Sequence, residues 1–375
     1  MKANLTWNDW RSQLRHRITT LEELQEWIEV TPEEEAAIEA SSARYRWNIT
    51  PYYASLMDPH DPACPIRQLA VPHLEEFRTY PGATVDPVGD TVYRRTNRVV
   101  HKYPDRAILL VTGLCPVYCR HCTRKYHTAD LTGTYFEEGE GASWEPDFEY
   151  IESHPELRDI LLTGGDPLIY SDERLEPILA RLRAIPHVEI LRIGSRAPVV
   201  LPQRITEELA EMLEQYHPLW FNTHFNHPKE ITQEAAAACD RLLRHGIVVQ
   251  NQSVLLKGIN DDLQTMRRLL SELLKIRVRP YYLYHCDNAI GISHFVTSLE
   301  EGRALMRNLQ GFFTGFGVPQ YVLTTPLGKI SLCEESLHQG EEGYWVENYQ
   351  GKTMRVDELL PFSDAKTLSS PPPKE

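Results

Sequence analysis

No stretch of the chain approaches the roughly 18 consecutive apolar residues that a membrane-spanning helix needs. The opening residues, MKANLTWNDWRSQLRHR, carry no apolar core of the kind a secretory signal has. A cytoplasmic protein is the expectation. Positive charge is also short. The 375 residues hold 39 Lys and Arg against 53 Asp and Glu, a formal net charge of -14, with the acids spread along the chain. A basic face for nucleic acid or for anionic lipid is therefore excluded from the expected functions. Cysteine is scarce: of seven, Cys64, Cys239, Cys286 and Cys333 stand singly. That argues against a disulfide framework and for reduced thiols. The last stretch, SDAKTLSSPPPKE, has too little apolar surface to order itself, so residues 363–375 are expected to be a disordered tail.

The first hundred residues read as a helical extension. TLEELQEWIEVTPEEEAAIEA spaces its apolar residues three and four apart, as a surface helix pair does. The proline-rich TPYYASLMDPHDPACPIRQLAVP is expected to wrap over a neighbouring surface without forming an element of its own. From residue 107 short apolar runs take over: AILLVT, DILLTG, EILRIG, LWFNTH, IVVQNQ, RPYYLY and QYVLTT. DERLEPILARLRAI, ITEELAEMLEQY, EAAAACDRLLRH and DLQTMRRLLSELLK between them have helical periodicity. Strand and helix alternating at roughly 25 to 35 residues predict βα units on a parallel sheet. Six or seven units favour an α/β fold closed into a complete or partial barrel, whose functional residues follow the strand C-termini.

The remaining cysteines, Cys115, Cys119 and Cys122, sit within eight positions just after AILLVT. Structural zinc usually takes four ligands in two close pairs. Here the spacing is C-x3-C-x2-C without a second pair, and His121 lies between two of the thiols. Iron–sulfur clusters are normally held by four thiolates. Three on one loop would hold three irons of a cubane and leave the fourth open to a ligand.

That motif, at that place, resembles the radical S-adenosylmethionine superfamily. HKYPDRAILLVTGLCPVYCRHCTRKY, DILLTGGDPL, RIGSRAPVVLPQRIT, NTHFNHPKEIT and YYLYHCDNAIGISHF are similar to the lysine 2,3-aminomutase family. RWNITPYYASLMDPHDPACPIRQLAVP resembles it as well, so the likeness runs from about residue 45 to about 350. The resemblance implies a partial barrel of the radical S-adenosylmethionine type over 101–325. Residues 1–100 would be a helical extension wrapping it, and 326–362 a C-terminal segment binding pyridoxal phosphate. It implies a [4Fe-4S] cluster on the three cysteines and S-adenosylmethionine on its open iron. Thr163, Gly164, Gly165 and Asp166 would meet the methionine group; Arg192, Ser195, His224 and Gln252 would line the adenosine and cofactor region. Lys329, in VLTTPLGKISL, matches the lysine that carries pyridoxal 5'-phosphate, with Lys102 and Arg106 at the phosphate. Arg124 matches the arginine that pairs with the substrate carboxylate. The implied reaction moves an α-amino group to the β-carbon of a free amino acid by a radical relay, fed by an electron donor such as flavodoxin or ferredoxin.

Two departures bear on specificity and assembly. Lysine-specific relatives hold the distal ammonium between two aspartates; Asp287 matches the first, and the second falls near Thr324. Glu334 or Glu335 could stand in, or the substrate could be arginine or another amino acid. Relatives that bind zinc between subunits use a cysteine where this chain has Asp262, and a C-terminal cysteine cluster that this chain lacks. No zinc is expected, which leaves a homo-oligomer possible but without that interface. The competing reading from another class is a non-catalytic iron–sulfur or zinc-binding scaffold, which would have no use for TGGDP, Lys329 or Arg124.

Overall fold

The computed structural model describes residues 5–129, 131, 143–325, 328–332, 337–340, 343–348 and 350–355. Nine strands form one sheet in chain order. They are β1 (Val99–Tyr103), β2 (Arg106–Thr112), β3 (Asp159–Gly164), β4 (Ile190–Gly194), β5 (Leu219–Thr223), β6 (Val248–Leu255), β7 (Arg279–His285), β8 (Gln320–Thr325) and β9 (Gly328–Ser331). From β2 to β8 every neighbour is parallel; β1 and β9 are antiparallel edges. The edges approach each other through side chains. The Tyr103 hydroxyl accepts the Lys329 backbone N–H at 2.9 Å, and the Lys102 ammonium donates to the Thr325 carbonyl at 2.7 Å. The sheet is thus a nearly closed barrel. A separate antiparallel sheet joins β10 (Leu337–Gly340), β11 (Gly343–Glu347) and β12 (Thr353–Arg355).

Strand alternation decides which side chains face the lumen. In β3 and β4, Ile160, Leu162, Leu191 and Ile193 are fully buried in the core under the outer helices. Their alternates, Asp159, Leu161, Thr163 and Arg192, are half-buried and line the inside. The helix Leu263–Lys275 shows how the outer layer is held. Met266, Leu269, Leu270 and Leu273 repeat at helical spacing and are buried, each contributing about 1.5–3 kcal/mol. Asp262 caps this helix, accepting the N–H groups of Gln264 and Thr265. Asp262 therefore has a local structural task.

All seven apolar runs are strands, and the four periodic segments are helices. The proline-rich passage differs from expectation, because it does form elements: helices Pro51–Ala54 and Pro65–Ala70. Each starts on a proline at its first position, where a missing N–H costs nothing. Tyr52, Tyr53, Ile66 and Leu69 from these turns are fully buried.

A buried ion cluster ties the extension to the cysteine loop. Glu76, wholly inaccessible, accepts from the Arg120 and Lys125 side chains, which are equally buried. Burial alone would raise the Glu76 carboxyl, but the two cations outweigh it and hold it far below the usual carboxylate range. Its folded-state value being depressed, its contribution to stability is present above the ordinary carboxylate range and is lost only in strong acid. Glu76→Ala would leave two buried cations without their counter-charge, so a loss of about 3–5 kcal/mol is expected in a denaturant titration. A variant as stable as wild type would show that the cluster is not holding the extension in place.

Candidate active site

The cysteine loop follows β2 and rings a cavity of about 980 Å³, open mouth included, at the strand C-termini. Residues 163–166 at the end of β3, Gly194 to Arg196 at the end of β4, and His224 after β5 complete the wall. Why glycines stand at 164 and 165 is visible in the backbone. Gly164 has φ +132, and a Cβ there would lie 2.4 Å from the Thr112 carbonyl oxygen. A Cβ on Gly165 would lie 2.2 Å from the Leu114 carbonyl oxygen. The turn lies flat against the start of the cysteine loop, with Asp166 N–H donating to the Leu114 carbonyl at 2.8 Å. Side chains here would push the loop away.

Asp166 locks this turn to the next. Its carboxylate accepts from the Ser195 hydroxyl at 2.7 Å, the Arg196 N–H at 2.8 Å and the Leu168 N–H at 3.0 Å. Burial raises its carboxyl, and these hydrogen bonds oppose the rise. Asp166 and Ser195 thus fix the cavity wall as well as lining it.

Burial pushes the thiols of Cys115 and Cys122 up, and the neighbouring thiols add to it. Three thiolates would not persist together without a cation to hold them. Among the described residues no three His, Cys, Asp or Glu side chains converge as ligands of one metal ion. The three thiols instead share the wall of a single cavity, a donor set that suits a multi-iron group.

Deeper in the lumen, Lys329 on β9 pairs with Thr324 on β8. Its ammonium stands 5.0 Å from the Tyr282 ring centre and 5.1 Å from that of Tyr284. Protein surrounds the amine although its side chain stays open to the lumen. Burial, then the facing cations Arg192, Arg106, Arg124 and Lys102, lower it to about 7. Arg192 is held by Asp159 at 2.8 Å, so it faces this region and not the cysteine loop. The Lys102 ammonium donates to the Val88 and Thr325 carbonyls at 2.8 and 2.7 Å. Arg106 lies over the Tyr103 ring at 4.1 Å and pairs with Asp105.

Arg124 and His224 line the cysteine cavity, and the charge of Arg124 reaches both Lys329 and Asp287. Arg124 pairs with the buried Asp90 at 2.6 Å. One Asp287 oxygen accepts from the Thr123 hydroxyl at 2.6 Å, and the other is buried without a hydrogen-bond partner. Burial raises the Asp287 carboxyl. His224 is lowered to about 4 by burial, then by Arg196, Arg124 and Lys329, so it is neutral at ordinary pH. Gln252, nearly buried, pairs with Tyr282 across β6 and β7. Glu334 and Glu335 lie outside the described residues.

Four residues of the site escaped the reading of the sequence. Asp90 sits in DPVGD, which has no pattern to mark it. Tyr103 is the residue between Lys102 and Pro104 in a motif already singled out. Arg196 follows Ser195 directly, and its Nη1 donates to the Cys119 sulfur at 2.8 Å. Glu230, on the far side of Arg196, is reached only through the fold.

A thiol-ringed cavity at the C-terminal ends of a parallel barrel defines a class, and the comparisons agree with it. The Radical SAM superfamily model matches residues 109–270. This is a radical S-adenosylmethionine enzyme, a class that uses S-adenosylmethionine and a [4Fe-4S] cluster. The chain is 48% identical over 326 residues to L-lysine 2,3-aminomutase of Clostridium subterminale, covering 87% of this chain and 77% of that one. It is 47% identical over 355 residues to the enzyme of that name from Acetoanaerobium sticklandii, covering 94% and 85%. Glutamate 2,3-aminomutase of Clostridioides difficile is 40% identical over 368 residues, covering 96% and 85%. The chain belongs to the lysine 2,3-aminomutase family and is an aminomutase, an isomerase.

Proposed function

We propose that the enzyme moves the α-amino group of a free amino acid, L-lysine before others, to the β-carbon, with pyridoxal phosphate held on Lys329. The observation that carries this is the setting of Lys329, whose ammonium stands 5.0 and 5.1 Å from the Tyr282 and Tyr284 rings inside the barrel. An amine lowered to about 7 is substantially neutral and nucleophilic near neutral pH, and cations ring it where a phosphate would need them. When bound, pyridoxal phosphate supplies the electrophilic carbon that ties and releases a migrating amino group. When bound, the cluster and S-adenosylmethionine would supply the radical chemistry.

The chain's own residues hold and orient these groups. Cys115, Cys119 and Cys122 hold the cluster; Thr163, Gly164, Gly165, Asp166, Ser195, His224 and Gln252 shape the S-adenosylmethionine side. Lys102, Arg106 and Arg192 face the phosphate side. The Arg124 fork meets the substrate carboxylate, and Asp90 fixes its direction. Asp287 offers its unpartnered oxygen to a distal cation. A flavodoxin- or ferredoxin-type protein supplies the electron.

Thr324 favours a second reading. With one carboxylate instead of two, a guanidinium could replace the ammonium, and arginine becomes a substrate of the same chemistry. Glutamate is disfavoured, because Asp287 would face a like charge. Asp287→Ala should keep both cofactors and lose about 3–5 kcal/mol of transition-state binding for a basic substrate, two to four decades in kcat/KM. The loss should be far smaller for an apolar amino acid, measured side by side. Equal losses for both substrate types would show that Asp287 does not hold the distal cation. An absorption scan of anaerobically purified protein tests the cofactor assignment: a cluster band plus pyridoxal absorption supports it, and a cluster band alone opposes it.

A further inference from the structure

We propose that Arg196 raises the reduction potential of the cluster through Cys119, and that Glu230 opposes it. This rests on the assignment of the three cysteines as cluster ligands. Arg196 is 7% exposed and fixed on several sides. Its Nε donates to the His224 carbonyl at 3.2 Å, and its Nη2 to the Tyr53 hydroxyl at 3.1 Å and to the Glu230 carboxylate. Its backbone N–H is held by Asp166. With those arms committed, Nη1 points at the Cys119 sulfur at 2.8 Å. A purely structural arginine would be satisfied by Glu230, Tyr53 and the carbonyl, with no reason to send a charged donor to a ligand sulfur.

One-electron reduction puts an extra negative charge on the cluster and its thiolates. A buried guanidinium donating to one of those sulfurs stabilises the reduced form more than the oxidised one. Glu230 works in the other direction. It is wholly buried and takes the Tyr53 hydroxyl at 2.6 Å, the Asn226 N–H at 2.6 Å and the His227 N–H at 3.0 Å. Its negative charge, next beyond the guanidinium, offsets part of the positive field at Cys119. Tyr53 belongs to the N-terminal extension, so the extension takes part in setting the potential.

The test is a redox titration followed by electron paramagnetic resonance, with dithionite as the one-electron donor, on the iron-loaded full chain. Arg196→Gln should lower the potential by about tenfold in the reduction equilibrium, roughly 59 mV for a one-electron couple. Arg196→Lys, which keeps the charge but loses the fork, should fall between it and wild type. Glu230→Gln should shift the potential upward. The opposite signs separate this role from mere support of the fold, and if Arg196→Gln fails to hold iron the other two variants still read the sign. A potential unmoved in Arg196→Lys and Glu230→Gln, or shifted the same way in both, would overturn the proposal. A wild-type chain that holds no cluster would instead overturn the cysteine assignment beneath it.

Discussion

Lys329→Ala protein is expected to purify with its full iron content and no visible absorption from bound pyridoxal phosphate. Turnover should fall to nearly nothing, while S-adenosylmethionine still binds the cluster. The separation follows from the fold. Lys329 is on β9 and not on the loop after β2, and its neighbours are Tyr282, Tyr284, Thr324 and Tyr103. Removing its side chain takes away the amine that stands beside Tyr282 and Tyr284 and leaves the cysteine loop untouched. Lys329→Arg should fail as well, since a guanidinium keeps its charge and cannot act as a nucleophile at neutral pH. Retained pyridoxal absorption in Lys329→Ala would move the anchor elsewhere, with Lys352, in the turn before β12, the next lysine downstream.

Replacing Cys115, Cys119 or Cys122 by alanine should remove the cluster and all cleavage of S-adenosylmethionine, leaving a folded barrel. The three thiols share one cavity wall, and two cannot fill the role of three. The fold should survive because the loop is held independently. Glu76 grips Arg120 and Lys125, and the turn at Gly164 and Gly165 seats the backbone of residues 112–114. Cys64→Ala and Cys239→Ala should leave iron content unchanged: both are buried thiols, one just before Pro65–Ala70 and one inside Gln233–Arg244. A full cluster in any of the three loop variants would contradict the ligand assignment.

The barrel was legible because its strands are apolar runs of the right length and its helices have one buried stripe. β1 and β9 were not, for a physical reason. GKIS has a single apolar side chain, and the two buried valines of VVHKY run straight into the basic HKYPDR segment, so neither stood out as an apolar run. The cysteine loop stood out by its spacing, and Lys329 by its setting in a resembling motif. Asp90, Tyr103 and Glu230 could not, because each acts on a residue brought to it by the fold. Arg124 shows the consequence: its type and place suggested a carboxylate partner, but only the structure shows that Asp90 already aims it. Arg192, expected beside the adenosine, is turned toward Lys329 by Asp159, a lumen neighbour that strand register supplies.

The proposed reaction is tested most directly by an anaerobic assay of the reconstituted enzyme with a panel of α-amino acids, reading the β-amino products. Conversion of lysine to its β-amino isomer, dependent on both S-adenosylmethionine and pyridoxal phosphate, is the expected result. Arginine should be the next best substrate and glutamate inert. Cleavage of S-adenosylmethionine with no β-amino acid formed from any member of the panel would contradict it.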